Sequence, residues 1–348
     1  MKVIEYTKYG SPEVLRINEI TKPTPKDNEV LIKIIASTVT IVDITFRKGN
    51  SFFARLFTGA FKPKNAIPGG DLVGEVEAAG KNVTRFKKGD NVFGPTSDGL
   101  GAHAMYVCLP DDAALVLKPE KMTCDEAATA SYGFLTALPF LRDEANIKSG
   151  QAILIIGASG CIGTFAVQIA KYYGAHITGV CSSENVDMVK SLGADRVIDY
   201  KKTDFKRTDE KYDVVFDTAG KSSFTQCRRL LKDTGIYLTP TISPTILLNM
   251  LLTSKSKGKR AKIAFTGLRS AADKANDLVF FNELWESNKV KPVIGNHFTF
   301  DQIVEAHTYV ERGHKSGSVV ITWNSGAETV KRERSSVRKK SELVMETR

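Results

Sequence analysis

Residues 153–163 read ILIIGASGCIG, an apolar run that breaks into glycines at 157, 160 and 163 and leads into TFAVQIAKYY, residues 164–173. A strand that feeds a helix through such a turn suits a phosphate. Glycine adopts positive φ and keeps no side chain between the backbone and a pyrophosphate. The helix N-terminus adds free N–H groups and partial positive charge. The order is GxxGxxG rather than GxGxxG, so the βαβ context around the turn carries much of the reading. Gly157, Ser159, Gly160, Cys161, Ile162 and Gly163 are the expected cradle; a plain strand–helix turn is the alternative. Cys161 reads as a small packed residue rather than a redox thiol.

Outward from this turn, strand and helix patterns alternate. CDEAATASYGFLTALPFL (124–141) reads as a helix, with Asp125 and Glu126 suiting its N-terminal end. After the turn come HITGVCS (176–182), NVDMVKSLG (185–193), DRVIDY (195–200), YDVVFDTAG (212–220), FTQCRRLLK (224–232), GIYLTPT (235–241) and IAFTGL (263–268). Short apolar strands joined by helical crossovers predict a doubly wound parallel sheet. Before residue 120 the texture differs. EVLIKIIAST (29–38), DLVGEVEAAG (71–80), DNVFGP (90–95) and AMYVCLP (104–110) are β-rich and bounded by Gly, Pro and Asp, the pattern of a small antiparallel barrel or sandwich. PVIGNHFTF (292–300), an amphipathic DQIVEAHTYVERG (301–313) and SVVITW (318–323) are expected to rejoin that first unit. The expected domains are therefore 1–122 with 290–323, and 123–289. Residues 324–348, which contain VKRERSSVRKKSE, are expected to be a solvated, disordered tail.

With 348 residues, 42% hydrophobic and 25% charged, the composition is that of a globular protein of two domains. The net charge of +10 favours anionic ligands, with part of the excess in the tail. MKVIEYTKYG lacks the apolar core of a signal peptide, and no apolar stretch approaches the ~20 residues of a membrane span. The five cysteines, Cys108, Cys124, Cys161, Cys181 and Cys227, form no CxxC pair. Together these features lead us to expect a cytoplasmic protein with no disulfide framework and no membrane partner.

The second strand of such a sheet decides which dinucleotide fits. An NAD site places an acidic residue at that strand's tip to bond the ribose 2′-hydroxyl. Here the tip is Cys181-Ser182-Ser183, followed by Glu184 and Asn185. Hydroxyl and amide groups can bond a 2′-phosphate, with Ser182, Asn185, Lys190 and Tyr200 as candidates. Glu184 is the residue that weighs against it. The reading favours NADPH over NADH.

Several motifs occur in a fixed order: IPGGDLVGEVEAAGKNVTRFKKGDNVFG (67–94), GFLTAL (133–138), GASGCIG (157–163), VKSLGADRVIDY (189–200), DTAG (217–220) and HKSGSVVI (314–321). Over residues 1–323 this set resembles the medium-chain dehydrogenase/reductase superfamily, and most of all its zinc-independent quinone oxidoreductase branch, the ζ-crystallin-like enzymes. The resemblance implies an α/β protein with a GroES-like β-barrel domain, a Rossmann domain, a cleft between them and a homodimer. It also implies cofactor contacts from Thr136, Gly160, Ile162, Ser182, Asn185, Tyr200, Thr218, Thr241 and Ser318. Zinc-using relatives carry ligands where this chain has Thr40, Gly70 and the stretch Ser131–Gly133, none of them a Cys or His, so no zinc is expected. The branch's Asn-Pro-x-Asp is replaced by Thr40-Ile41-Val42-Asp43. The tyrosine used by enoyl-thioester reductases is replaced by Ser51.

Without a metal to stabilise an alkoxide, an activated acceptor is the easier partner for hydride transfer. An enone or quinone takes the hydride at carbon and spreads the charge onto oxygen, where a hydrogen-bond donor stabilises it. Thr40, with Asp43 beside it, is the candidate for positioning substrate or nicotinamide. FRKGNSFFARLFTGAF (46–61) is either an aromatic rim of the pocket or an ordinary covering loop. Phe46, Phe52 and Tyr132 are the candidate pocket residues. Residues 241–260 either wall the other side or form a dimer contact. Asp71 reads as structural, and His103 as a barrel histidine rather than a proton donor. A short-chain enoyl or acryloyl reductase is the alternative enzyme. An NADPH sensor or a nucleic-acid-binding protein is the alternative outside enzymes, though no basic strip interleaved with aromatics supports the latter beyond residues 46–61.

Overall fold

A computed structural model describes residues 1–323 apart from Ser51, residues 65–66, Asp98 and residues 314–315; the side chains of Phe52 and Phe53 are also outside the description. The expectations for Ser51, for the Phe52 side chain and for the tail at 324–348 therefore lie outside the described residues.

The chain begins with a hairpin of β1 (Lys2–Glu5) and β2 (Arg16–Glu19). It then builds β3 (Glu29–Thr38), helices α1 (Ile41–Lys48) and α2 (Phe52–Thr58), and strands β4 (Asp71–Ala79), β5 (Asn91–Pro95), β6 (Tyr106–Pro110) and β7 (Val116–Leu117). Helix α3 (Cys124–Pro139) leads to β8 (Ala152–Ile156), α4 (Cys161–Tyr172), β9 (His176–Cys181), α5 (Val186–Ser191) and β10 (Arg196–Asp199). Next come β11 (Tyr212–Asp217), α6 (Phe224–Cys227), β12 (Leu231–Leu238), α7 (Pro244–Thr253), β13 (Arg260–Lys262) and α8 (Ala271–Glu286). The chain closes with β14 (Ile294–Thr299), α9 (Ile303–Arg312) and β15 (Ser318–Thr322).

Strands β8 to β13 form one parallel sheet in the order β10-β9-β8-β11-β12-β13. This is a doubly wound sheet, and its strand order reverses between β8 and β11, where ligands of such sheets bind. Ile153 to Ile156 are buried because helices cover both faces of the central strand. The second sheet runs β14-β15-β3-β4-β5-β7, with β6 also paired to β3. Strands β14 and β15 thus return the C-terminal segment to the GroES-like unit.

Helix α3 joins the two halves. It packs on α4 and α8 and on β3, β4, β5 and β15. Its N-terminus is fixed by a capping box, Thr123 with Glu126. Phe134 sits among Phe165 and Phe281 at ring distances of 5.9 and 5.2 Å, in the tilted arrangements aromatic pairs favour. Gly133 permits the approach to α4, since a Cβ there would lie 2.6 Å from the Phe165 ring. Among the described residues no helix is long and apolar enough to cross a membrane.

Two local expectations shift. The last strand of the parallel sheet is Arg260–Lys262, immediately before IAFTGL, whose Thr266–Leu268 portion is a 3₁₀ turn. Only Ala261 of that strand is fully buried, so the flanking basic residues conceal it in the sequence. The segment 46–61 is not one aromatic loop. Phe46 belongs to α1, and Arg47 is wholly buried and ion-paired with Glu311 of α9. Phe57 and Phe61 face solvent.

Candidate active site

The glycine turn lies at the C-terminal end of β8, at the reversal of strand order. Gly157 has φ of +78°, and a Cβ there would lie 2.8 Å from the Ala219 Cβ. A Cβ on Gly163 would lie 2.1 Å from the Gly157 carbonyl oxygen. Both glycines are required by the turn itself. Gly160 is the N-cap of α4 and supplies no side-chain cap, which leaves that end free to receive an anion. The residues present therefore fit a dinucleotide pyrophosphate. Thr218 closes the turn from β11, with its hydroxyl donating to Ile156 O and Gly157 O at 2.9 and 3.1 Å.

The GroES-like half meets this turn directly. Gly317 N donates to Ser159 O at 2.7 Å, and Gly160 and Gly317 form an isolated parallel bridge. Beside this junction is a narrow opening lined by Thr38, Thr40, Thr129, Tyr132, Cys161 and Ser318 together with Val39 and Val319. Tyr132 and Cys161 thus reach the cleft. Burial holds the Tyr132 phenol well above its ordinary range, with Cys161, Asp71 and Asp43 adding to the effect, so it stays protonated as a donor. Phe46 is half-buried and is not among the residues lining this opening.

Thr40 lines the opening and also caps a helix. Its hydroxyl donates to Asp43 Oδ2 at 2.7 Å and accepts from Val42 N at 3.2 Å, the capping box of α1. Asp43 also accepts from Thr40 N at 2.7 Å and, through Oδ1, from Gly69 N at 3.1 Å. In this arrangement the Thr40 proton is directed at Asp43. Thr38 and Asp71 form a second pair, with Thr38 Oγ1 donating to Asp71 Oδ2 at 2.9 Å. Burial pushes the Asp71 carboxyl up to about 7; the Thr38 hydrogen bond pulls the other way, and Asp43 adds to the rise. His103 is buried with Nε2 3.0 Å from Thr38 O, and burial lowers its basicity, so it remains a neutral imidazole.

At the far end, Asn185 Nδ2 donates to Ser182 Oγ at 3.0 Å, and Tyr200 is exposed. Glu184 is turned onto Lys201, which pulls its carboxyl down to about 2. Lys201 was not singled out in the sequence, although it directly follows Tyr200 in VIDYK. Thr241 lies against Gly220, where a Cβ would come within 2.3 Å of its hydroxyl. Thr136 is buried on α3, away from the lining of the opening. Among the described residues no three His, Cys, Asp or Glu side chains are grouped to hold a metal ion.

Residues 26–120 match the alcohol dehydrogenase GroES-like domain, and residues 192–321 match a family described as zinc-binding dehydrogenase. A 2-methylene-furan-3-one reductase of Solanum lycopersicum is 33% identical over 335 residues, covering 92% of this chain and 79% of that one. A chloroplastic NADPH-dependent alkenal/one oxidoreductase of Arabidopsis thaliana is 30% identical over 340 residues, covering 92% and 79%. The chain belongs to the medium-chain dehydrogenase/reductase superfamily, in its quinone oxidoreductase-like branch. The solved structure of the quinone oxidoreductase from Coxiella burnetii superimposes with a TM-score of 0.83 at 29% identity, covering 93% of this chain and 99% of that one. This protein is an oxidoreductase. Its two sheets and the cleft at the glycine turn follow that fold.

Proposed function

We propose that this protein reduces an activated C=C bond or a quinone with NADPH, without a bound zinc ion. The observation that carries the reading is the junction of the uncapped α4 N-terminus with an opening lined by hydroxyl groups. Enones and quinones are the substrates named for its relatives. In this reading residues 1–122 with 290–323 are the catalytic domain and 123–289 the dinucleotide domain.

When bound, the nicotinamide supplies the hydride. The backbone of residues 157–163 holds the pyrophosphate. Ser182, Asn185 and Tyr200 receive the 2′-phosphate, and Lys201 both neutralises Glu184 and adds positive charge. Thr218, Thr241 and Ser318 flank the nicotinamide end. Tyr132, rather than Thr40, donates to the substrate oxygen as negative charge develops there. Thr40 and Asp43 hold the N-terminus of α1 in place beside it. The absence of Cys or His at 40, 70 and 131–133 supports zinc independence. A homodimer is supported by the exposed Leu248, Leu251 and Leu252 of α7 beside the edge strand β13. A cytoplasmic location completes the reading.

Stopped-flow NADPH oxidation against a panel of enones, quinones and enoyl thioesters, with a chelator present, tests this. Turnover of enones or quinones with NADPH is expected. Stoichiometric zinc whose removal abolishes turnover, or no affinity for either pyridine nucleotide by calorimetry, would overturn it.

A further inference from the structure

We propose that Asp71 is a buried proton reservoir that supplies the reduced substrate through the Thr38 hydroxyl. The inference rests on the reductase reading above and names the proton source that reaction needs.

Asp71 opens β4, and Ser37 fixes its backbone by donating Oγ to Asp71 O at 2.6 Å. The side chain lies behind Thr38, which ends β3 and lines the cleft. The titratable groups whose charge it feels or influences are Asp43 from α1 and Tyr132 from α3, and His103 meets the backbone carbonyl of Thr38. None of these brings a positive charge. Among the described residues no Lys, Arg or His lies within ion-pair distance of Asp71. Asp43 already accepts three hydrogen bonds, whereas among the described residues the Asp71 side chain has the single Thr38 hydrogen bond. A buried carboxyl next to another carboxylate, with no cation and one donor, keeps its proton near neutrality, in line with its rise to about 7.

The chemistry balances. Hydride adds to the substrate carbon, and the π electron pair moves to oxygen as an enolate; from a quinone ring this is the keto–enolate, which reaches the hydroquinone by tautomerisation after protonation. That anion takes the Thr38 proton. While Asp71 is protonated it donates to Thr38 Oγ1 across the 2.9 Å contact, which leaves the Thr38 proton free for the cleft; Thr38 takes the Asp71 proton as it gives up its own, and the resulting carboxylate accepts from Thr38 again. Solvent reprotonates Asp71 once product has left. Acid Asp71 is required, so turnover is flat below about pH 7 and falls above it.

The test pairs kinetics with spectroscopy. Asp71→Asn keeps a group able to hydrogen-bond Thr38 but holds no acidic proton. It is expected to lose turnover roughly a hundredfold, the low end for a positioned proton donor, and to lose the alkaline limb while binding NADPH as before. Difference infrared spectroscopy of the cofactor-free wild type should show a protonated carboxyl band that disappears on titration through pH 7 and is missing in Asp71→Asn. Should that variant fail to fold, Thr38→Val cuts the relay with Asp71 in place, and Thr38→Ser restores it. Full turnover and an unchanged pH limb in Asp71→Asn or Thr38→Val, with an active wild type, overturn the relay alone. A wild type that reduces no member of the panel overturns the reductase reading and the relay together.

Discussion

Thr40–Asp43 and Thr38–Asp71 are both threonine–aspartate hydrogen bonds, 2.7 and 2.9 Å long, on consecutive stretches of chain beneath one cleft. The first is local: the partners are three residues apart, and the carboxylate gathers two backbone N–H groups in addition to the hydroxyl. The second spans 33 residues, and among the described residues its carboxyl is offered one hydroxyl. Burial is nearly the same, with Asp43 at 2% and Asp71 at 6% exposure. Solvent access therefore does not separate them; the number of donors does. A carboxylate surrounded by donors is a structural clamp, and one left short of donors stores a proton.

The comparison can be broken most directly at Asp43. Asp43→Ala removes three hydrogen bonds at once and leaves Gly69 N buried without its acceptor. A loss of roughly 3 kcal/mol is expected in urea denaturation; a loss below about 1 kcal/mol would mean the clamp is dispensable. Asp71 should behave differently with pH. Its folded-state value, about 7, lies above the ordinary 3.8. Between those values the folded protein keeps a proton that the unfolded chain has released, so stability falls as pH rises through this window. Asp71→Asn should flatten that slope, on the order of 2 kcal/mol between pH 4 and 7; parallel wild-type and variant curves would remove the distinction. Thr40→Val deletes the cap on Val42 N and the hydroxyl bond to Asp43 but leaves both backbone donors to that carboxylate, and should cost about 1 kcal/mol in the same assay. The smallest effect lies at Glu184, a carboxylate held chiefly by a cation, Lys201. Lys201→Ala should weaken NADPH about threefold in a fluorescence titration and leave NADH nearly unaffected.

Most of the nucleotide half is legible from local sequence. Its strands are short apolar runs, and its turn glycines lie within seven residues, so periodicity and spacing suffice. The GroES-like half is less so. Thr40-x-x-Asp43 is itself a capping-box pattern, and its position opposite a family motif led to a substrate role instead. Asp71 could not be paired with Thr38 without the β3–β4 register, in which Ser37 lies opposite Leu72. The aromatics at 46–61 suggested a pocket rim, but helical phase buries Arg47 and turns Phe57 outward. Lys201 lies beyond the strand tip where a ribose partner is usually sought.

The contact of Gly317 with Ser159 constrains how the molecule can move. Both partners are backbone atoms, so no rotamer change releases them. Any widening of the cleft must pivot about this rung or break it. Entry of a flat acceptor is then a matter of hinge placement, with the greatest travel on the side of the mouth farthest from residue 317.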